Sequence, residues 1–121
     1  MTSEIDLMRA IQLKASDLGH RLFRNNVGLG WVGPQVRVSH SQMIMVHPGD
    51  VVIRKASAFH AGLAEGSSDL IGLTNTGRFL AVEVKAPKGR IREGQESFLE
   101  MVRRLGGIGI IARSEEDFKI V

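Results

Sequence analysis

Cysteine is absent from this chain, which excludes disulfides, thiolate zinc sites and thiol catalysis together. No uninterrupted apolar stretch approaches the length needed to cross a bilayer, so no membrane partner is expected. The opening residues, Met1-Thr2-Ser3-Glu4-Ile5-Asp6, are acidic and carry no basic region followed by a hydrophobic stretch. No signal peptide is therefore expected. Internal repeats, low-complexity runs and long linkers are missing as well. His20, His40, His47 and His60 show no tight ligand spacing and are read as surface or hydrogen-bonding residues rather than a zinc set.

What remains is a chain of 121 residues, read as one domain over 1–121: large enough for a real core, too short for a separate substrate-binding domain. Hydrophobic and charged residues, at 43% and 24%, fall in the ordinary globular range. The net charge of +3 and isoelectric point near 9.8 fit an anionic partner. The basic excess is local, because Arg78, Lys85, Lys88, Arg90, Arg92, Arg103 and Arg104 face only four Glu in the same stretch.

Periodicity predicts an α/β unit with a mixed sheet. Met8, Ile11, Ala15 and Leu18 form a helical stripe over residues 4–19, with Thr2 or Ser3 as N-cap and Gly19 as the stop. One turn back, the stripe lands on Glu4. Residues 20–24 read as a short strand and Asn25 to Gly30 as a glycine-rich turn. Val36–Val38 and Met43–Val46 are expected to pair around Ser39-His40-Ser41, and Val51–Ile53 to form a further strand after Pro48-Gly49. Asp69–Leu73 and Arg78–Lys85 flank Asn75-Thr76-Gly77 as a β-hairpin. A second helical stripe runs through Ile91, Gln95, Phe98, Val102 and Leu105 and stops at Gly106-Gly107. Ile108–Ala112 is an apolar strand, and Ser114–Phe118 a short capped turn. Strand, helix and strand together close the mixed sheet.

The hairpin sets Asp69 beside Glu83. Glu83 and Lys85 are two residues apart and project to one side of the strand, while Val84 points to the other. Charges at the end of an otherwise apolar strand are costly unless paired or bound to a cation. Asp69, Glu83 and the Val84 carbonyl form a candidate oxygen set for magnesium, and such a set serves phosphodiester hydrolysis. Glu4 and Gln95 each put a polar group on a helix face otherwise given to hydrocarbon, and buried polar groups need partners. All these groups are expected to converge with Lys85. Lys88, Arg90 and Arg92 lead into the second helix and are candidate phosphate contacts. Each feature also has a plain reading. Glu4 is an exposed first-turn acid suited to the helix dipole, Gln95 a solvent-facing residue, and Lys88–Arg92 a solvated basic loop. Trp31, between glycines, is read as packing in preference to stacking on a base.

At this point the chain resembles the VRR-NUC domain of the PD-(D/E)xK nuclease superfamily, in the small stand-alone form found in phages and bacteria. The resemblance runs from Ser3-Glu4 through Phe23-Arg24-Asn25-Asn26-Val27-Gly28 to Gly62–Gly72, then through Gly77–Lys85 and Gly89-Arg90 to Gln95 and Phe98. It implies a restriction-endonuclease-like core, a mixed central β-sheet flanked by helices. It also implies that Asp69 and Glu83 ligate magnesium or manganese with help from the Val84 carbonyl, and that Lys85 positions or activates the attacking water. Glu4 and Gln95 match the family's helix-borne acid and glutamine, and Arg24 joins Lys88, Arg90 and Arg92 as a nucleic-acid contact. Ser68 stands where the superfamily expects proline, and Gly33 to Ala58 finds no counterpart.

The expected activity is a metal-dependent DNA endonuclease acting on duplex, flap or junction DNA, structure-selective and homodimeric as the resemblance implies, in the cytoplasm of a bacterial or phage-infected cell. Two alternatives stay open. One is a non-catalytic nucleic-acid-binding module on the same scaffold, and the other an RNA endonuclease.

Overall fold

The computed structural model describes residues 3–25, 30–58, 62–64 and 66–120. Ser3 caps the first helix, its Oγ accepting a hydrogen bond from the Asp6 N–H at 3.1 Å, and Glu4 and Asp6 in the first turn suit the helix dipole. Helix α1 (Glu4–Asp17) buries Leu7, Ile11 and Ala15. The predicted stripe is thus displaced at both ends. Leu7 takes the buried place and Met8 packs at its flank, while Leu18 is the C-cap residue and 52% exposed. The helix ends before Leu18 can turn inward, and Gly19 follows with φ +88° as the left-handed stop that glycine favours.

Four strands form one sheet in the order β1 (Arg21–Arg24), β2 (Leu70–Leu73), β3 (Phe79–Val84), β4 (Ile108–Ala112). The first two pairings are antiparallel and the third is parallel. Parallel pairing needs a crossover, supplied by α2 (Glu93–Arg104). The predicted α/β class with a mixed sheet and flanking helices is therefore observed, and with it the β2–β3 hairpin. Glu115–Asp117 forms a 3-10 turn capped by Ser114. Among the described residues, no helix is long and apolar enough to cross a membrane.

Helices pack on both faces of the sheet, α1 on one and α2 over the β3–β4 half of the other. Leu22, Leu70, Leu80, Val82 and Val84 pack against Leu7, Ile11 and Ala15 of α1, together with Ala112 and Phe118. On the other face Ala81 meets Leu99 and Val102 of α2, flanked by Phe98, Met101 and Ile111. The buried face of α2 is centred on Leu99 and Val102, so the predicted stripe holds at Val102, with Phe98 packed at its flank, and fails at its two ends. Ile91 lies before the helix, and Leu105, its C-cap, is 74% exposed.

The described residues divide into two compact units, Met1–Val27 with His60–Val121, and Gly28–Phe59. The second unit overturns three expectations. Val36–Val38, Met43–Val46 and Val51–Ile53 form no strands, and residues 30–58 hold no helix either. Val36, Met43, Met45 and Ile53 are exposed. β-branched runs make strands only where a partner strand and a buried face are available, and the described residues offer these runs neither. The glycine-rich turn expected from Asn25 to Gly30 lies mostly outside the described residues.

Candidate active site

The β2–β3 register pairs Leu70 with Val82 and Ile71 with Ala81. One further step sets Asp69 opposite Glu83, on the face covered by α2. The Asn25 N–H donates to the Asp69 carbonyl at 2.8 Å, so the β1 edge also reaches this level. Asp69 Oδ2 accepts a hydrogen bond from the Val84 N–H at 3.0 Å, which fixes the carboxylate against the end of β3. The Val84 side chain itself lies in the α1-side core.

Glu83 is 2% exposed. Its Oε1 accepts a hydrogen bond from Gln95 Nε2 at 2.8 Å and lies 3.8 Å from Lys85 Nζ. Its Oε2 is buried without a hydrogen-bond partner. Burial first, and the negative charge of Asp69 second, push the Glu83 carboxyl up to about 8, against the counter-pull of Lys85. A buried carboxylate oxygen with no donor beside a second carboxylate is what a hard divalent cation would satisfy. Asp69 and Glu83 fit such an ion in donor type and charge. No group of three His, Asp or Glu side chains is assembled around one point among the described residues, so other ligands would have to be backbone carbonyl, water or substrate oxygen.

Gln95 uses both ends of its amide. Oε1 accepts from the Arg92 N–H at 2.9 Å while Nε2 donates to Glu83, so one side chain caps α2 and orients the buried carboxylate. Glutamate would meet Glu83 with a second acceptor, and leucine with none. The polar member of the second stripe is thereby explained by its partners.

Glu4 lines a cleft with Lys85, Pro87 and Arg113 and is not grouped with Asp69 and Glu83 among the described residues. It begins α1, which packs on the opposite face, and its Oε1 accepts from the Ala86 N–H at 3.0 Å. The stripe argument brings Glu4 to the correct end of the sheet but not to the Asp69–Glu83 side. Arg24 is exposed and pairs in register with Leu70, whose side chain lies in the α1-side core, so Arg24 also projects away from Asp69. Lys88, Arg90 and Arg92 are exposed beyond the end of β3.

Two residues emerge that were not singled out as site residues. Asn25 Nδ2 donates to Ser67 Oγ at 2.6 Å and to the Ser68 carbonyl at 3.0 Å, and its Oδ1 accepts from the Leu63 N–H at 3.0 Å. It pins the turn that delivers Asp69. Its signal in the sequence was an amide side chain directly after the short strand Arg21–Arg24 and before a glycine-containing run. Arg113 Nη1 donates to the carbonyls of Ala86, Pro87 and Gly89 at 2.9, 3.3 and 2.6 Å, holding the turn between Lys85 and Lys88. Nothing local marked it. Ser68, in the place of the expected proline, is buried with its Oγ unpartnered.

Among protein-family models, the VRR-NUC domain matches residues 33–116. The match takes in Gly33 to Ala58, for which no counterpart had been found, and leaves α1 with Glu4 outside. No curated protein matches the chain, and no solved structure matches it.

Proposed function

The chain belongs to the VRR-NUC domain family, a branch of the PD-(D/E)xK nucleases, and on that premise we propose that it is a metal-dependent endodeoxyribonuclease selective for branched DNA. The observation that carries the reading is Glu83, buried opposite Asp69 with one oxygen unpartnered and Lys85 beside the other. Asp69 and Glu83, with the Val84 carbonyl at the same strand end, would hold magnesium or manganese. When bound, such an ion supplies Lewis-acid polarisation of a phosphoryl oxygen and a more acidic water.

The chain's own residues do the remaining work. Gln95 keeps Glu83 in one orientation, and the Val84 N–H does the same for Asp69. Lys85 is only 17% exposed, so its ammonium acts where water screens it least. There it stabilises negative charge that develops on the phosphate and orients the attacking water. Lys88, Arg90 and Arg92 lie on the approach and engage backbone phosphates.

Selectivity for branched DNA rests on the family resemblance, and a homodimer is supported by the Gly28–Phe59 unit. That unit exposes Trp31, Val32, Val36, Met43 and Met45, apolar surface suited to burial against a second copy. The test is cleavage of matched linear, flap and four-way-junction DNAs, with an RNA control, by wild type and Asp69→Ala in magnesium, manganese or chelator. Cutting is expected only with metal, only with Asp69 present, and most rapidly on a branched DNA. A folded Asp69→Ala that cuts at the wild-type rate would sink the assignment.

A further inference from the structure

Cross-strand partners on the α2-side face of the sheet form rows. Arg21, Leu73 and Phe79 make one row, and Phe23, Ile71 and Ala81 the next. The following step holds Asn25, Asp69 and Glu83. Helix α2 packs chiefly over β3 and β4, and among the described residues the β1–β2 half of this face keeps exposed apolar side chains. Phe23 is 57% exposed, Leu73 53% and Phe79 37%. The other face of the same strands is filled, with Leu22 and Leu70 packed under α1. Phe23 therefore adds little to the core. It leaves an aromatic ring in water one row from the carboxylates, about 7 Å along the strand at two residues of rise.

We propose that Phe23, extended by Leu73 and Phe79, is a stacking platform for an unpaired base of the strand whose phosphate lies at Asp69 and Glu83. The inference rests on the nuclease reading and narrows its substrate to DNA splayed open beside the cut. Continuity with the carboxylates decides the occupant. A phosphate held at Asp69–Glu83 on this face brings the adjoining nucleotide over the Phe23 row. That row carries no cation to receive a phosphate, and it offers a ring to which any base can present its π-face. A paired base is held inside its duplex stack and offers no free face. Arg21, exposed in the far row and without an ion-pair partner among the described residues, suits the next phosphate or a second stacked base. Phe23 is thus a specificity residue, apart from the groups that hold the metal or the water.

The experiment measures binding in calcium, a hard cation that the carboxylates can hold and that is expected to support binding without efficient cutting. It uses flap DNAs carrying a single abasic nucleotide at successive positions along the unpaired arm, with wild type, Phe23→Ala, Phe23→Leu and Phe23→Trp. Phe23→Ala is expected to weaken binding of intact flap roughly 5- to 100-fold. At one abasic position wild type should lose the same factor and Phe23→Ala nothing more. Phe23→Trp should restore the intact-flap affinity. Phe23→Leu keeps apolar bulk without the ring and should behave as alanine does, which separates stacking from damage to the fold. Equal penalties for Phe23→Ala on intact and abasic DNA would overturn the platform. So would unchanged DNA binding with loss of self-association in sedimentation, which would give the strip to a second copy. Cleavage by wild type in manganese is scored in parallel. Cutting without base coupling fails the platform alone, whereas coupling without cutting upholds the platform and fails the nuclease reading.

Discussion

Gln95 and Glu83 share a hydrogen bond of 2.8 Å, and replacing either has a consequence that differs with conditions. Gln95→Leu removes the acceptor for the Arg92 N–H and the donor to Glu83 together. It should lower unfolding free energy by roughly 1–3 kcal/mol, read by denaturant titration in chelator. Glu83 supplies the pH dependence. Its folded value of about 8 lies above the usual 4.5, so between these values the native state binds the extra proton. In chelator, stability is then greatest near pH 5 and falls as pH rises toward 8, by on the order of a few kcal/mol. Glu83→Gln should flatten that slope and be the more stable protein at pH 8 without metal. A divalent ion should reverse the ranking there, because it binds the ionised carboxylate. A wild-type melting temperature that rises from pH 5 to 8 in chelator would contradict this account of Glu83.

The elements meet where the sequence pattern was clearest. Alternation in β3 and the short turn at Gly77 were enough to place Asp69 and Glu83 on one face, because hairpin register follows from local chemistry. Helix faces were legible only to within one position. Leu7 and Leu99 take the buried places expected of Met8 and Phe98, and Leu18 and Leu105 fall at the C-caps, because a stripe drawn from spacing does not know where a helix ends. A closer junction was not legible at all. Gly66, at φ +82°, lies so near the first turn of α2 that an added Cβ would sit 2.7 Å from the Gly94 carbonyl oxygen. That contact joins the loop bearing Asp69 to the helix bearing Gln95. Gly77 shares the positive φ, at +84°, but has nothing within 4 Å of an added Cβ. Gly77→Ala should therefore show only the left-handed penalty of about 1–2 kcal/mol. Gly66→Ala should cost more in thermal unfolding and should also slow cleavage, since it parts the two halves of the site. Equal losses for the two variants would mean that the Gly66–Gly94 approach carries no functional weight.

Taken whole, the molecule divides its surfaces by chemistry. A fully packed sheet face lies under α1, and the opposite face passes from an exposed apolar half to a carboxylate pair. The cationic loop Lys88–Arg92 follows the end of β3. Charge excess in this part of the chain was visible in the sequence. The fate of Glu4 was not, because the side of the sheet a helix takes is decided by long-range packing that a single stripe does not encode. The Gly28–Phe59 unit escaped for a related reason, since β-branched runs without a partner strand carry no register. If the loop meets phosphates, its cations act through counterion release, which is independent of base sequence and measurable without cleavage. Binding of a flap DNA in calcium, titrated with salt, should give a linear fall of log affinity with log salt. Lys88→Ala and Arg90→Ala should each reduce that slope by about 1. Arg24→Ala, on the face away from Asp69, should leave the slope unchanged, and Phe23→Ala should weaken binding without altering it. A reduced slope in Arg24→Ala with none in Arg90→Ala would mean that the DNA lies across the other face, and would remove the path from the basic loop to the carboxylates.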